Sequence, residues 1–219
     1  EFNSLTFAVF LLVVFAVHWF MLNRRGWTMA RNLFLLAVSY VFYGAWDWRF
    51  LSLIAFSSAV DFWVGLRMDG LVTKSERKPW LVVSLMVNLG LLAAFKYFDF
   101  FLDSAQDLAA LFGWDGERLR LNWILPVGIS FYTFQTLSYS LDLYHGRMKA
   151  TRDPVAFFAF VAFFPQLVAG PIERARNLLP HFERISAFDS KAVRSGLFLL
   201  LWGLFKKVVL ADRLALFVN

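Results

Sequence analysis

Cysteine is absent from the sequence, which removes disulfides, thiol nucleophiles and cysteine-ligated metals from consideration. Histidine is nearly absent too. His18, His145 and His181 are the only three, and none stands at a spacing from another that would build a zinc site. Charge is scarce, at 17% of residues against 59% hydrophobic and 19% aromatic, whereas a soluble domain is closer to half apolar and a quarter charged. The 22 Lys and Arg outnumber the 16 Asp and Glu, yet no basic-aromatic patch lies outside the apolar runs, so no nucleic-acid partner is expected. No phosphate loop, nucleophile–base pair or carboxylate dyad occurs at a recognisable spacing. The first apolar run also lacks the basic flank and small-residue cleavage site of a secretory leader.

What is present is a series of apolar runs, several of which approach the roughly 20 residues that cross a hydrocarbon core. Short basic loops separate them. This pattern predicts an all-α, polytopic transmembrane helix bundle, with spans at residues 5–22, 33–46, 50–66, 80–98 and 123–144. Lys and Arg concentrate in residues 23–31, 67–78 and 145–153, which the positive-inside bias places in the cytoplasm. Pro79 is expected at the opening of the fourth span, a position that proline tolerates. After it, apolar residues from Phe98 to Phe112 recur at helical spacing while Asp99, Asp103 and Asp107 form an acidic stripe. That predicts an interfacial amphipathic helix on the outer side. His18, beside Trp19, reads as an interfacial residue, and His145 as a solvated loop residue. Asp61 and Asn88 lie within spans and read as inter-helical polar contacts, with a functional role for Asp61 left open.

The fifth span is the most polar. Gly128, Tyr132, Gln135, Tyr139 and Asp142 share one helix face, and Ser130, Thr133, Thr136, Ser138 and Ser140 add hydroxyls. Such a helix belongs inside the bundle, either as a packing face glued by hydrogen bonds or as the wall of a wet cavity. Next comes residues 163–182, FFPQLVAGPIERARNLLPHF, where Pro165, Gly170 and Pro171 break an apolar run that then turns charged. A helix interrupted in this way must have its freed backbone groups satisfied by protein or by water. If residues 155–172 crossed the membrane, Arg174, Arg176, Arg184, Lys191 and Arg194 would lie outside, against the positive-inside bias. A re-entrant segment at residues 155–171 that returns to the cytoplasmic side satisfies the bias. Residues 196–218 carry Lys206, Lys207, Asp212 and Arg213 within an apolar run, and are expected to lie obliquely or to turn their charged face to protein or water. The chain is expected to be a single membrane domain, residues 1–219. Because it begins at Glu1 and stops at Asn219 inside an apolar run, it is expected to be part of a longer protein.

Two adjoining motifs, PVGISFYTFQTLSYSLDLYHG at residues 126–146 and the 163–182 stretch, resemble the membrane-bound O-acyltransferase family and its bacterial alginate O-acetyltransferase branch. NSLTF at residues 3–7, Tyr43-Gly44 and GLFKKVVLADRLA at residues 203–215 are similar to that branch too, so the likeness runs along nearly the whole chain. The resemblance implies transfer of an acyl group, typically acetyl, to hydroxyls of an exopolysaccharide such as alginate or of another cell-envelope acceptor. It also implies a multi-pass protein of the bacterial inner membrane, in which a ring of helices surrounds a thinned centre. The donor it implies is acetyl-CoA or an acylated carrier, with no bound cofactor. Its partners would be the lipid bilayer, the donor, the acceptor polymer and other envelope acetylation proteins. On this reading Gln135 and Asp142 line the central cavity, while Gln166, Glu173 and Arg174 support a cytoplasmic funnel whose basic surface suits an anionic donor. Family members use a histidine as general base, in a motif that has no counterpart in residues 1–219. His18, His145 and His181 do not match it, so no catalytic residue is assigned. The alternatives are a transporter or flippase built on broken helices and a non-catalytic membrane scaffold.

Overall fold

The computed structural model describes residues 4–113, 126–167 and 170–218. Every regular element among them is helical: α1 (Leu5–Ala16), α2 (Thr28–Asp47), α3 (Leu51–Asp69), α4 (Lys74–Leu111), α5 (Ile129–Tyr144), α6 (Pro154–Val161), α7 (Phe164–Leu167), α8 (Ala175–Glu183), α9 (Ser190–Phe205) and α10 (Asp212–Val218). Three stretches are long and apolar enough to cross a membrane: Leu5–Leu22, Thr28–Asp69 and Lys74–Leu111. These helices form two compact units, Met29–Arg184 and the pair of segments Glu1–Thr28 with Ile185–Asn219.

In the larger unit, α3, α4 and α5 pack against one another, α6 packs on α3, and α8 packs on α5 and α6. Capping residues set several of the boundaries. Thr73 opens α4 in a reciprocal box: its hydroxyl accepts from the Glu76 N–H, and the Glu76 carboxylate accepts from the Thr73 N–H at 3.0 Å. Pro79 therefore lies inside α4 rather than at its start, since the box nucleates the helix earlier. Nor does α4 break near Phe98. It runs for 38 residues, about 57 Å at 1.5 Å per residue, because residues 91–112 contain neither glycine nor proline. The acidic stripe of Asp99, Asp103 and Asp107 thus continues the fourth span instead of starting a new helix.

The end of α5 is a glycine-closed turn. Gly146 takes φ +69°, the Gly146 N–H bonds the Leu143 carbonyl at 3.0 Å, and the Arg147 N–H bonds the Asp142 carbonyl at 2.8 Å. Arg77 adds a bond from Nη1 to the Leu143 carbonyl at 3.0 Å, while its Nε and Nη2 hold the Leu71 carbonyl at 2.9 and 2.6 Å. The basic loop around it is in part a set of helix caps. At the other end of α5, Gly128 takes φ +80° and has its backbone against Leu167. A Cβ there would stand 2.5 Å from the Leu167 carbonyl oxygen, so that close approach needs glycine.

Between residues 154 and 184 the chain is broken into α6, α7 and α8, with the first break ahead of Pro165 rather than at it. Asp153 caps α6, accepting from the Ala156 N–H at 3.1 Å with Pro154 in the first turn. The helix stops at Val161, and Pro165 falls in the short α7. Along this stretch the Phe164 N–H donates to Ser39 in mid-α2 at 3.2 Å, and Leu167 reaches the start of α5. From there the Ala175 N–H donates to Ser138 at 3.2 Å, and the carbonyls at the end of α8 meet Arg31 in the first turns of α2. Tyr43, near the far end of α2, donates to the Val127 carbonyl at 2.7 Å, which ties that end of α2 to the start of α5.

In the smaller unit, Ser4 caps α1 by accepting from the Phe7 N–H at 3.1 Å, and the helix continues in π form through Leu22. Asn23 donates to the Ser186 carbonyl at 2.7 Å, and Trp19 meets the Phe188 ring edge-on at 5.4 Å. Helix α9 leads through a π-helical turn, Lys206–Ala211, into α10. The wider π turn brings residues five apart together, and Lys207 pairs with Asp212. Lys206 lies over the Trp202 ring at 5.4 Å. Part of the charge in this apolar helix is thus met within the helix itself.

Candidate functional site

Helix α5 is the polar centre of the larger unit. Tyr132, Thr133, Gln135, Thr136, Tyr139, Ser140 and Asp142 are all buried on it. Apolar neighbours cover it on one side: the Tyr139 and Phe157 rings lie 4.7 Å apart. On another side its hydroxyls join a hydrogen-bonded cluster from three helices. Asp61 of α3 accepts from Ser84 of α4, from Ser140 of α5 at 3.1 Å and from the Asn88 amide of α4 at 2.7 Å. The Ser84 and Ser140 hydroxyl oxygens lie 2.9 Å apart, both directed at Asp61, and Thr136 donates to the Asn88 carbonyl oxygen at 3.1 Å. Every member is buried, so each bond replaces one that water would otherwise supply. The sequence reading of Asp61 and Asn88 as inter-helical contacts describes this arrangement. Ser84, a lone hydroxyl in an apolar run, does not stand out in the sequence. Its one signal is its spacing, four residues before Asn88 and on the same face.

Gln135 and Gln166 are brought together. The Gln135 amide donates to the Phe160 carbonyl at 2.8 Å and lies 3.4 Å from the Gln166 oxygen. Phe160 sits in the last turn of α6, whose carbonyls have no intrahelical partner. Gln135 therefore ties α5 to the broken stretch. Asp142, two turns further along α5, is 3% exposed. One of its oxygens lies 3.6 Å from the half-exposed Arg147 guanidinium, and the other is buried without a hydrogen-bond partner. Glu173 and Arg174 stand apart from these groups, at the start of α8. Arg174 is exposed, and Glu173 accepts from Asn177 one turn on at 3.4 Å. The five candidate residues therefore form a glutamine pair, a separate buried carboxylate and an exposed helix start rather than one cluster.

The three histidines are dispersed. His18 meets Trp19 edge-on at 5.2 Å, exposed His145 turns Nδ1 to the Leu141 carbonyl at 2.8 Å, and His181 is exposed on α8. Among the described residues no group of three His, Cys, Asp or Glu side chains is placed to hold a metal ion. Arg31 corrects the sequence reading most. Assigned to a basic loop, it lies in the first turns of α2 and is 2% exposed. Its guanidinium donates to the carbonyls of His181, Phe182 and Arg184 at 3.1, 2.7 and 2.9 Å. A guanidinium buried among carbonyls at a helix end is compensated by the helix dipole as well as by the bonds.

These features define a chain whose described elements are all helical, with three stretches long and apolar enough to cross a membrane and a buried, hydrogen-bonded polar helix within the larger unit. Comparison with known proteins carries the description further. The chain is 39% identical over 217 residues to the probable alginate O-acetylase AlgI of Pseudomonas aeruginosa, covering 98% of this chain and 40% of that protein. It is 42% identical over 188 residues to the probable alginate O-acetylase AlgI of Azotobacter vinelandii, covering 84% of this chain and 37% of that one. A peptidoglycan O-acetyltransferase of Helicobacter pylori is 32% identical over 214 residues, covering 86% of this chain and 40% of the relative. The chain is thus a homologue of bacterial proteins named as O-acetylases and O-acetyltransferases, and it spans about two fifths of the length of these relatives. No protein-family model matches the chain, and no solved structure does.

Proposed function

We propose that this chain is part of a membrane-bound O-acyltransferase that moves an acetyl group to hydroxyls of a cell-envelope polysaccharide. The observation that carries this reading is the 39% identity to an alginate O-acetylase over 98% of the chain. The buried polar helix α5 supports it, because such a face is costly against lipid and suits a reaction centre reached through the membrane. The protein would be a multi-pass protein of the inner membrane, with acetyl-CoA or an acylated carrier as donor and an exopolysaccharide such as alginate as acceptor. Other envelope acetylation proteins would be its partners.

In this reading residues 155–171 enter the membrane and return to the side they came from. The bonds of Phe164 to mid-α2 and of Phe182 and Arg184 to the start of α2 support that path. Gln135 and Asp142 line the central cavity, and Gln166, Glu173 and Arg174 support the donor funnel on the cytoplasmic side, with the Gln135–Gln166 contact joining the two. The acidic stripe of residues 98–112 lies toward the outer interface, and residues 1–219 belong to one membrane domain.

Acetyl content of the envelope polysaccharide, measured in cells that depend on the full-length protein, tests this function. Restored acetylation by the wild type with loss in Gln135→Leu and Arg174→Ala is expected. Wild-type acetyl levels in both variants would remove the residue assignments. Uptake of substrate into vesicles without any acetyl transfer would replace the enzyme with a transporter. For the path of the chain, cysteines at exposed Asn177 and Ala187 serve as reporters. Both should label from the cytoplasm, and labelling from outside alone would make residues 155–172 an ordinary span.

A further inference from the structure

Helix α8 is held at both ends by residues distant in sequence. At its start the Ala175 N–H, one of the four donors a helix leaves unpaired, is taken by Ser138 of α5 at 3.2 Å. Ala175, Leu179 and Phe182 bury its apolar face. At its end the chain turns extended at Arg184, and the carbonyls of the last turn need donors from elsewhere. Arg31 and Asn32 supply them. The guanidinium reaches three of these carbonyls, and the Asn32 amide donates to Phe182 at 2.8 Å. The Asn32 oxygen in turn accepts from Arg31 Nε and Nη2 at 3.3 and 3.2 Å, which fixes the plane of the fork. Arg31 and Asn32 are both buried, and the contacts close a loop of about 150 residues in sequence.

We infer that Arg31, oriented by Asn32, is a positioning residue that sets the placement of α8 and, through it, of Glu173 and Arg174 at the start of that helix. The inference rests on the proposal that these two residues lie on the donor side of an acyltransferase. Three carbonyls and one amide oxygen around a single planar cation leave no place for a lysine to do the same work, since an ammonium offers a point charge without the fork. Released from Arg31, α8 would keep its apolar face, the Ser138 bond and the single bond from Asn32. Arg174 is exposed and its side chain does not cap the helix, so its position follows that of α8.

The test uses the full-length protein with other cysteines removed, in two arms. In the first, Leu179→Cys reports docking of α8, because Leu179 is 1% exposed. Maleimide should label it about tenfold faster in Arg31→Gln than with Arg31 intact, and Asn32→Ala should fall between, as the weaker loss of a helix-end cap. An unchanged labelling rate in both would overturn the inference. In the second arm acetyl-CoA is the probe. Arg31→Lys should raise its KM about tenfold with kcat changed less than about threefold, the split expected when uniform donor binding is lost. Equal falls in kcat and kcat/KM with KM unchanged would overturn the positioning role, because general damage to the enzyme acts that way. If Arg174→Ala leaves KM unchanged, the donor-side reading fails on its own, and the labelling arm still decides whether Arg31 holds α8.

Discussion

Gly65 on α3 offers the sharpest test of how α5 is seated. A Cβ added there would stand 2.5 Å from the Tyr139 hydroxyl oxygen, 2.7 Å from Cε1 and 2.9 Å from Cζ. Carbon atoms in contact rest at about 3.5–4.0 Å, so Gly65→Ala needs the ring to retreat by about 1 Å. The ring has little room to do so. Tyr139 is fully buried, and the Phe157 ring packs on it at 4.7 Å between centroids. Overpacking of a closed site costs about 1–3 kcal/mol, and about 2 kcal/mol is expected here because two ring carbons and the hydroxyl oxygen are involved at once. The measurement is unfolding of the full-length protein in mixed detergent micelles, carried through a double-mutant cycle with Tyr139→Leu. In the Tyr139→Leu background the added methyl should cost less than about 0.5 kcal/mol, giving a coupling of about 1.5 kcal/mol. Gly90→Ala is the control. Nothing lies within 4 Å of a Cβ at that helical site, so it should be neutral or stabilise by up to about 1 kcal/mol. Additive effects of Gly65→Ala and Tyr139→Leu within about 0.5 kcal/mol would refute the close helix contact.

Asn88→Leu removes two bonds that Asn88 donates and one that it accepts in the Asp61 cluster, and should destabilise the same preparation by about 1–3 kcal/mol. A shift near zero would mean that water or other groups already serve Asp61. Gly128→Ala meets both φ +80° and the Leu167 carbonyl. It should cost more than the roughly 1–2 kcal/mol of the left-handed conformation alone, and tolerance would deny the contact between α5 and α7. Arg147→Ala should cost less than about 1 kcal/mol, because the guanidinium is half exposed and 3.6 Å from Asp142. A larger loss would make that pair a structural ion pair.

Hydrophobic run length and loop charge are enough to read the helical class, because crossing an apolar layer demands long helices of restricted composition whatever their neighbours. The polar face of α5 is equally legible. Residues that share a face at helical spacing remain together wherever the helix packs, so Gln135, Tyr139 and Asp142 can be grouped before any partner is known. Local punctuation is less reliable. Pro79 has the look of a helix start, yet the capping box before it sets the true one, and the acidic stripe after Phe98 suggests a break that no residue there enforces.

Partners across the fold lie beyond the sequence. Nothing in the order of residues says that Arg31 caps a helix about 150 positions later, or that Ser84 completes the shell of Asp61. Nor does it separate Glu173 and Arg174 from the glutamine pair. Loop arginines and buried arginines are spelled alike, and a hydroxyl in an apolar run can face lipid, its own backbone or a carboxylate. By itself the sequence determined the helical class and which faces are polar, since both follow from spacing along one chain. The tertiary structure decided which of those polar groups meet, because a hydrogen bond between helices depends on register, depth and rotation that only packing sets.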